Sequence, residues 1–352
     1  MKKKVATLII ISITIIIAMV IVNDPVKMGG ILSGTDLYLI LCVVALYILN
    51  GFIKAARWHL LLYSSGSRIK FSKIYLFLLI GLMVNNISPG RIGGEPVRAY
   101  LLRTKNEVPI GRGLSTIFVE RTVDLIVLTL LALIGIGLIV PLLLASDFGI
   151  ELLLLSFVPV FMLIVALIYI ATHPKFLRRL ALGACHFLQK FSSSSWLLKA
   201  ESGIIGFVDS FNIGINNMKS DLRLNKKNGF GVISLTLIIW LNDAARIYLV
   251  LLALPNVLPP SFGAVLIVSC LATIFGAVLP IGAMHATLIT SIFAALGIDI
   301  ASATTAGILT IMTSIWLSIP LGIISMFLVG LKIEKVSSEI VREGNPVKEG
   351  VS

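Results

Sequence analysis

The chain has 352 residues, of which 57% are hydrophobic and only 13% are charged, and its net charge is +12. A mean hydropathy of +1.03 excludes an ordinary soluble domain, and the apolar runs are long enough to cross a bilayer as helices. No ten-residue alternation of the kind found in membrane β-barrels is present. The sequence therefore predicts an all-α polytopic membrane protein, with about six full transmembrane helices and two re-entrant helical hairpins.

The basic residues lie beside the apolar runs and do not form one patch. This distribution is the one that the positive-inside rule expects of cytoplasmic loops, so it argues for membrane lipids and against nucleic acid as partners. The chain is expected in the cell membrane as a multi-pass protein, with both termini in the cytoplasm.

The first apolar run, residues 5–22, follows three lysines. It is long enough to span, and no small-residue cleavage pattern follows it, so a retained first helix is favoured over a cleaved signal peptide. We expect residues 23–35 to form an outer loop and residues 36–53 to return inward. Lys54 and Arg57 would then belong to a basic cytoplasmic cluster.

Residues 71–103 begin and end among positive charges but are too short for two crossings of about 20 residues each. Two prolines and three glycines lie in the middle of this stretch. A helix that enters the membrane, breaks at residues 85–94 and returns to the same side fits this pattern. Such irregular backbone survives at membrane depth only where protein or a wet cavity surrounds it.

The second half predicts another such hairpin. Residues 262–301 contain no Lys or Arg and are interrupted at Pro280 and Gly282, so this hairpin is expected to enter from the opposite side. Full spans are expected at residues 113–140, 152–171, 230–254 and 303–331. Two opposed hairpins, each beside a charge-bearing span, are typical of inverted-repeat transporters, which place their substrate site between the hairpins.

These elements form one integral membrane domain. Its first half (residues 1–171) contains the hairpin at about 71–103 and is followed by a cytoplasmic amphipathic segment (172–228). Its second half (229–331) contains the hairpin at about 262–301 and is followed by a cytoplasmic tail (332–352). The amphipathic segment carries many Lys and Arg residues together with helical apolar stripes, so it is expected to lie on the membrane surface.

Charged residues inside the membrane segments are candidate functional residues. Arg91 and Arg98 can pair with a lipid phosphate, because guanidinium groups bind phosphate oxygens bidentately. The backbone N–H groups near Gly93 and Gly94 would add donors at a helix N-terminus. The alternative is that Arg98 simply pairs with Glu95, three residues earlier on the same helix face.

Glu120 and Asp124 lie four apart on one helix face, next to Arg121, and two carboxylates there need a nearby cation or a shared proton. We expect Arg91 or Arg246 to supply that cation. The group would act either as a proton relay or as a structural charge network.

Asp243 and Arg246 are three apart and are expected to pair. His285, beside the second break, is either a pH-sensitive group or a packed side chain. The sequence has no metal-ligand spacing and no nucleotide-binding loop, so neither a metal nor a cofactor is expected.

The motifs of the first half resemble a known family, the transmembrane region of lysylphosphatidylglycerol synthases and the flippase-like membrane proteins related to it. The matching residues are Arg57-Trp58, Asn86, Pro89-Gly90-Arg91-x-Gly93-Gly94-Glu95-Pro96-x-Arg98, Glu120-Arg121-x-x-Asp124 and Leu279-Pro280. The chain departs from the family after Pro280, where the usual glutamate is missing, and near Thr313 and Ser314, where an arginine is missing.

The resemblance implies binding and translocation of an anionic phospholipid or a polyprenyl-phosphate-type lipid. Asn86 and Arg246 join Arg91, Arg98 and the two glycines as the expected lipid-binding residues. The alternatives are a membrane-embedded headgroup transferase and a membrane partner subunit of a separately encoded transferase. The chain has no segment large enough for a soluble catalytic domain, which favours a transporter over an enzyme.

Overall fold

A computed structural model of the chain describes residues 2–88, 91–144, 161–170, 195–275 and 282–331, with the single residues 173, 176, 179 and 183. Every regular element in these ranges is a helix. In chain order they are α1 (Lys2–Val22), α2 (Pro25–Ser33), α3 (Leu37–Ser64), α4 (Phe71–Ile87), α5 (Gly94–Asn106), α6 (Ile110–Leu144), α7 (Phe161–Ile170), α8 (Ser195–Leu224), α9 (Lys226–Ala253), α10 (Phe262–Phe275), α11 (Ala283–Ala295), α12 (Ile300–Ile311), a π-helical turn (Met312–Trp316) and α13 (Ser318–Leu328).

Three of the described helices are long and apolar enough to cross a membrane: α3, α9 and the continuous helix Ile300–Leu328. A fourth candidate is the pair formed by Ile10–Val22 of α1 and by α2, which is bent by 88°. The all-α class is confirmed for the described residues. The count of six spans, the inverted repeat and the division into two halves stay predictions.

The expectation of a plain outer loop at residues 23–35 is wrong, because this stretch contains α2. Asp24 caps the helix by accepting a hydrogen bond from the backbone N–H of Lys27, and Pro25 occupies the first helical position. Both features are common at helix starts.

The second span is longer than the sequence indicated. Asp36 caps α3 at its start, and the helix continues past residue 53 to Ser64. Lys54 and Arg57 therefore lie within α3 and not in a loop, and Arg57 is only 1% exposed. Placing them in a loop after the span was wrong, because α3 continues to Ser64 and carboxylates of other helices lie beside both side chains; the side of the membrane on which they lie stays a prediction.

The chain breaks its helices at both places where the sequence predicts hairpins. In the first pair, α4 ends at Ile87 and α5 begins at Gly94, and the two helices pack against each other. A methyl group on Gly94 would lie 2.0 Å from the carbonyl oxygen of Gly81, so only glycine permits this approach.

In the second pair, α10 and α11 also pack against each other, and Gly282 (φ +83°) precedes α11. Pro280 of this break, like Pro89 and Gly90 of the first, lies outside the described residues.

The two broken pairs are held by the longer helices. α4 packs against α3 and α13, whereas α10 packs against α6 and α9, and α3 and α9 lie side by side between the pairs. A cavity lies where these elements meet.

The cytoplasmic segment predicted at 172–228 is described mainly by α8, which packs on α6 and on the end of α3. Gly214 faces Ser115 closely, and Asn217 donates to the carbonyl of Ser65 at 3.2 Å. Most of residues 172–194, residues 145–160 and the tail 332–352 lie outside the described residues.

Candidate functional site

The cavity has a volume of about 380 Å³ and is lined by both broken pairs and by α3, α6, α9 and the helix Ile300–Leu328. Its walls carry six cations and four carboxylates, which are Lys54, Arg57, Arg91, Arg98, Arg121, Arg246, Glu95, Glu120, Asp124 and Asp243. Asn86 and His285 line it as well. The candidate charged residues of both halves thus meet at one site.

Arg57 of α3 is the cation that compensates the two acids of α6. Its Nη1 donates to Asp124 Oδ1 at 2.5 Å, and its Nη2 donates to Glu120 Oε1 at 3.1 Å. Thr236 and Trp240 of α9 complete the cluster, since Thr236 accepts from Arg57 at 3.0 Å and Trp240 Nε1 donates to Asp124 at 3.0 Å. The expectation that Arg91 or Arg246 fills this role was wrong.

Arg98 of α5 forms a two-point ion pair with Glu120, whose Oε2 lies 2.7 Å from Arg98 Nη2. The guanidinium carbon also lies 3.8 Å from the centre of the Trp58 ring, which is a close cation–π contact. A methyl group on Gly81 would lie 2.6 Å from Arg98 Cγ, so the small residue leaves room for the arginine stem. Arg98 is therefore held firmly on three sides.

Glu95 pairs with Arg121 of α6 and not with Arg98, so the alternative of a pair within α5 was wrong. Both Arg121 and Asn85 donate to the Oε1 atom of Glu95, whereas its Oε2 atom is buried with no hydrogen-bond partner among the described residues. Glu95 and Arg98 lie on one helix, but each faces a different residue of α6. The two pairs together fix α5 on α6.

Asp243 joins α9 to α3, and its expected pairing with Arg246 is confirmed at 3.0 Å. Asn50 of α3 donates to the same Oδ1 atom at 2.8 Å, and Lys54 lies 3.7 Å from Oδ2. Arg246 also donates to the carbonyl oxygen of Thr313 at 3.3 Å. Thr313 lies in the π-helical turn, where the altered hydrogen-bond register is common at functional sites.

Arg91 differs from the other five cations of the cavity, because it forms no ion pair with a described residue. Its Nη2 donates to Asn86 Oδ1 at 2.9 Å, and Asn86 in turn donates to Ser318 at 2.7 Å. Arg91 has a φ of +53°, a region that a residue with a side chain rarely adopts. Backbone of this kind persists where the surroundings enforce it, often at binding sites.

Gly93 and Gly94 were predicted to offer free N–H groups to a phosphate, and this is wrong for the structure as it stands. The N–H of Gly93 donates to Ser88 Oγ at 3.0 Å, and that of Gly94 donates to Asn85 Oδ1 at 2.6 Å. The two side chains act as caps for α5. The glycines serve the close packing of α4 on α5 instead.

His285 ties the second broken pair together. Its Nδ1 atom lies 2.9 Å from the carbonyl oxygen of Ala272, which joins the first turn of α11 to α10. The side chain is 9% exposed and lines the cavity. Gly282, just before it, faces Ile311 and Ile315 so closely that a methyl group there would clash. Among the described residues, no group of three His, Cys, Asp or Glu side chains could hold a metal ion.

Residues 9–322 match the family described as the lysylphosphatidylglycerol synthase TM region. The chain belongs to this family. The UPF0104 membrane protein MJ1595 of Methanocaldococcus jannaschii is 30% identical over 340 residues, which cover 93% of this chain and 96% of that protein. A UPF0104 membrane protein of Methanothermobacter thermautotrophicus is 26% identical over 248 residues, or 67% of each chain. The family resemblance drawn from the motifs is thereby confirmed.

A shorter stretch of the chain is similar to part of a larger protein. Glycosyltransferase AglD of Haloferax volcanii is 28% identical over 116 residues, which make up 33% of this chain and 18% of that protein. No solved structure gives a significant match to the chain.

Sequence reasoning missed Lys54 and Arg57 as site residues. They lie close in sequence to other basic residues, which suggested a loop. Arg57-Trp58 was nevertheless one of the motifs that matched the family. The other signal was the pair of acids on α6, which required a cation that the sequence alone could not identify.

Proposed function

We propose that this family member binds the phosphate of an anionic lipid in the cavity and moves that lipid across the bilayer. One observation carries the proposal: a cavity between two broken helical pairs holds more cations than carboxylates, and Arg91 has no acidic partner there among the described residues. A guanidinium without a carboxylate partner is suited to bind a phosphate, because it offers paired N–H donors.

The architecture supports translocation as well as binding. Broken helices whose ends meet at a polar cavity are a common feature of transporters, which bind substrate there and rock one half against the other. Here the first pair is fixed to α6 by ion pairs and the second pair contacts the same helix through α10. α6 therefore links the two pairs.

A flip assay in proteoliposomes tests the proposal. Purified protein is reconstituted with fluorescently labelled anionic lipids, and the loss of fluorescence on adding an impermeant quencher measures movement between leaflets. We expect faster movement than in protein-free vesicles. In Arg91→Gln the rate should fall about ten- to a hundredfold, because a hydrogen bond to a charged group contributes about 1.5–3 kcal/mol.

Arg103→Gln is the matched control, since Arg103 is exposed on α5 and does not line the cavity. It should keep the wild-type rate. Movement no faster than in empty vesicles, across anionic lipids of several headgroups, would refute the proposal.

A second candidate function is that of a membrane partner for a separately encoded transferase. The match with a protein named a glycosyltransferase, limited to 18% of its length, favours it. A role as a transferase in its own right is less well supported, because Glu120 and Asp124 are both engaged by Arg57 and are not free to act as acid and base. Crosslinking in native membranes, followed by mass spectrometry, tests the partner: recovery of a transferase in amounts comparable to the chain supports it, and recovery of none contradicts it.

A further inference from the structure

We propose that the cavity selects lipids whose headgroup ends in a phosphate monoester over lipids with phosphodiester or zwitterionic headgroups. This inference rests on the proposed function and names the class of lipid. It starts from the balance of charges: six cations and four carboxylates line the cavity, which leaves an excess of two positive charges.

The excess can be assigned to particular side chains. Each carboxylate can be assigned its nearest cation; these pairs are Glu95–Arg121, Glu120–Arg98 (2.7 Å), Asp124–Arg57 (2.5 Å) and Asp243–Arg246 (3.0 Å), and Arg57 also contacts Glu120 at 3.1 Å. Lys54 approaches Asp243 no closer than 3.7 Å, and Arg91 has no carboxylate partner among the described residues. Asp243 is thus shared between Arg246 and Lys54, so this group of three carries one positive charge in excess, and Arg91 carries the other.

A ligand that balances both charges is favoured, because an uncompensated charge in a site of low dielectric is costly. A phosphate monoester carries about −1.5 to −2 charges at pH 7 and presents three terminal oxygens. A phosphodiester carries one charge, and a zwitterionic headgroup carries none on balance. Of these three headgroup types, only the monoester matches the excess.

Unused donors in the lining point the same way. Lys54 can donate three hydrogen bonds and Arg91 five, of which the structure shows one from Arg91 to a side chain. Buried donors are normally satisfied, so a ligand rich in acceptor oxygens fits the site.

Native mass spectrometry of the purified full chain tests the inference, with three lipids of identical acyl chains: phosphatidic acid, phosphatidylglycerol and phosphatidylcholine. We expect phosphatidic acid to bind at least about tenfold more tightly than phosphatidylglycerol, since one further charge is balanced. A competition arm with inorganic phosphate distinguishes the lipid from a soluble source. If inorganic phosphate displaces phosphatidic acid at equal concentration, the proposal that the ligand is a lipid is overturned, whereas recognition of the phosphate group itself is kept.

Two variants make the result specific to the cavity. Arg91→Gln lowers the excess to one charge while its amide can still donate to Asn86, so the preference for phosphatidic acid over phosphatidylglycerol should largely disappear. Arg103→Gln removes one charge outside the cavity and should leave the preference unchanged.

The failures of the two proposals are distinguishable. Equal binding of phosphatidic acid and phosphatidylglycerol by the wild type would overturn the monoester preference and leave the proposed function standing. Binding of none of the lipids, together with no movement in proteoliposomes, would overturn both. A preference that survives in Arg91→Gln would show that the excess charge of the cavity is not its cause.

Discussion

Replacing Arg57 by methionine removes the cation that joins α3 to both acids of α6. Methionine keeps an unbranched stem, so the change acts mainly on charge and hydrogen bonding. In the variant, Asp124 keeps only its hydrogen bond from Trp240, and Glu120 keeps its pair with Arg98. One buried carboxylate is thus left without a cation.

The loss of stability should be large. Breaking a buried ion pair by removing one partner costs about 3–5 kcal/mol, because the remaining charge is buried without compensation. Arg57 is 1% exposed, and Asp124 and Glu120 are each 4% exposed, so solvent cannot replace the lost partner. We therefore expect Arg57→Met to lower the free energy of unfolding by about 3–5 kcal/mol.

Unfolding by sodium dodecyl sulfate in mixed micelles measures this quantity. Lys73→Met, at an exposed position early in α4, is the matched control and should change the free energy of unfolding by less than about 0.5 kcal/mol. The double variant Arg57→Met/Asp124→Leu should lose about 0.5–3 kcal/mol less unfolding free energy than the two single variants lose together. The reason is that it leaves no unpaired carboxylate at position 124. A loss below about 1 kcal/mol for Arg57→Met, or strictly additive losses, would refute the reasoning.

Two further predictions concern packing and a surface ion pair. Gly94→Ala places a methyl group 2.0 Å from the carbonyl oxygen of Gly81 and should lower the free energy of unfolding by about 1–3 kcal/mol or more in the same assay. Gly29→Ala, inside α2, meets no atom within 4 Å and should not lower it, because alanine favours a helix over glycine. Equal losses in the two variants would contradict the packing. The hydrogen bond from Lys27 holds the pKa of Asp299 below its usual value. Lys27→Gln should therefore raise the pKa of Asp299, which an NMR titration measures. An unchanged pKa would contradict the contact. A carboxyl group whose pKa is lower in the folded state stabilises the fold at pH values above its unfolded pKa of about 3.9. The free energies of unfolding of the wild type and Lys27→Gln should therefore differ by under about 1 kcal/mol at pH 7. This difference should vanish as the pH falls through the folded pKa.

The helical class and the two breaks could be predicted from sequence, because apolar runs and Pro–Gly clusters are local signals. The family could also be recognised, since its motifs lie within short stretches such as residues 85–98. The end of the second span could not be predicted. From the sequence, Lys54 and Arg57 have the pattern of basic residues in a loop. The acids of α6 and α9 that lie beside them are distant in sequence, so only the tertiary structure shows the contacts.

The pairing of charges was also beyond the sequence. Glu95 and Arg98 have the spacing of an ion pair within one helix. In the structure, however, Glu95 pairs with Arg121 and Arg98 pairs with Glu120, both of α6. The three-residue spacing stabilises an isolated helix by only about 0.2–0.5 kcal/mol, which buried partners on another helix easily exceed. Asp243 and Arg246 keep the local pair at 3.0 Å, although Asn50 and Lys54 of α3 also contact Asp243.

The charged cavity between the two broken pairs is proposed to bind a lipid phosphate. An experimental structure of the full chain in nanodiscs containing phosphatidic acid would show whether it does. We expect density for a phosphate in the cavity, with an oxygen within hydrogen-bond distance of the Arg91 guanidinium. Lipid density confined to the outer surface of the helices, with Arg91 contacting only protein and water, would contradict it.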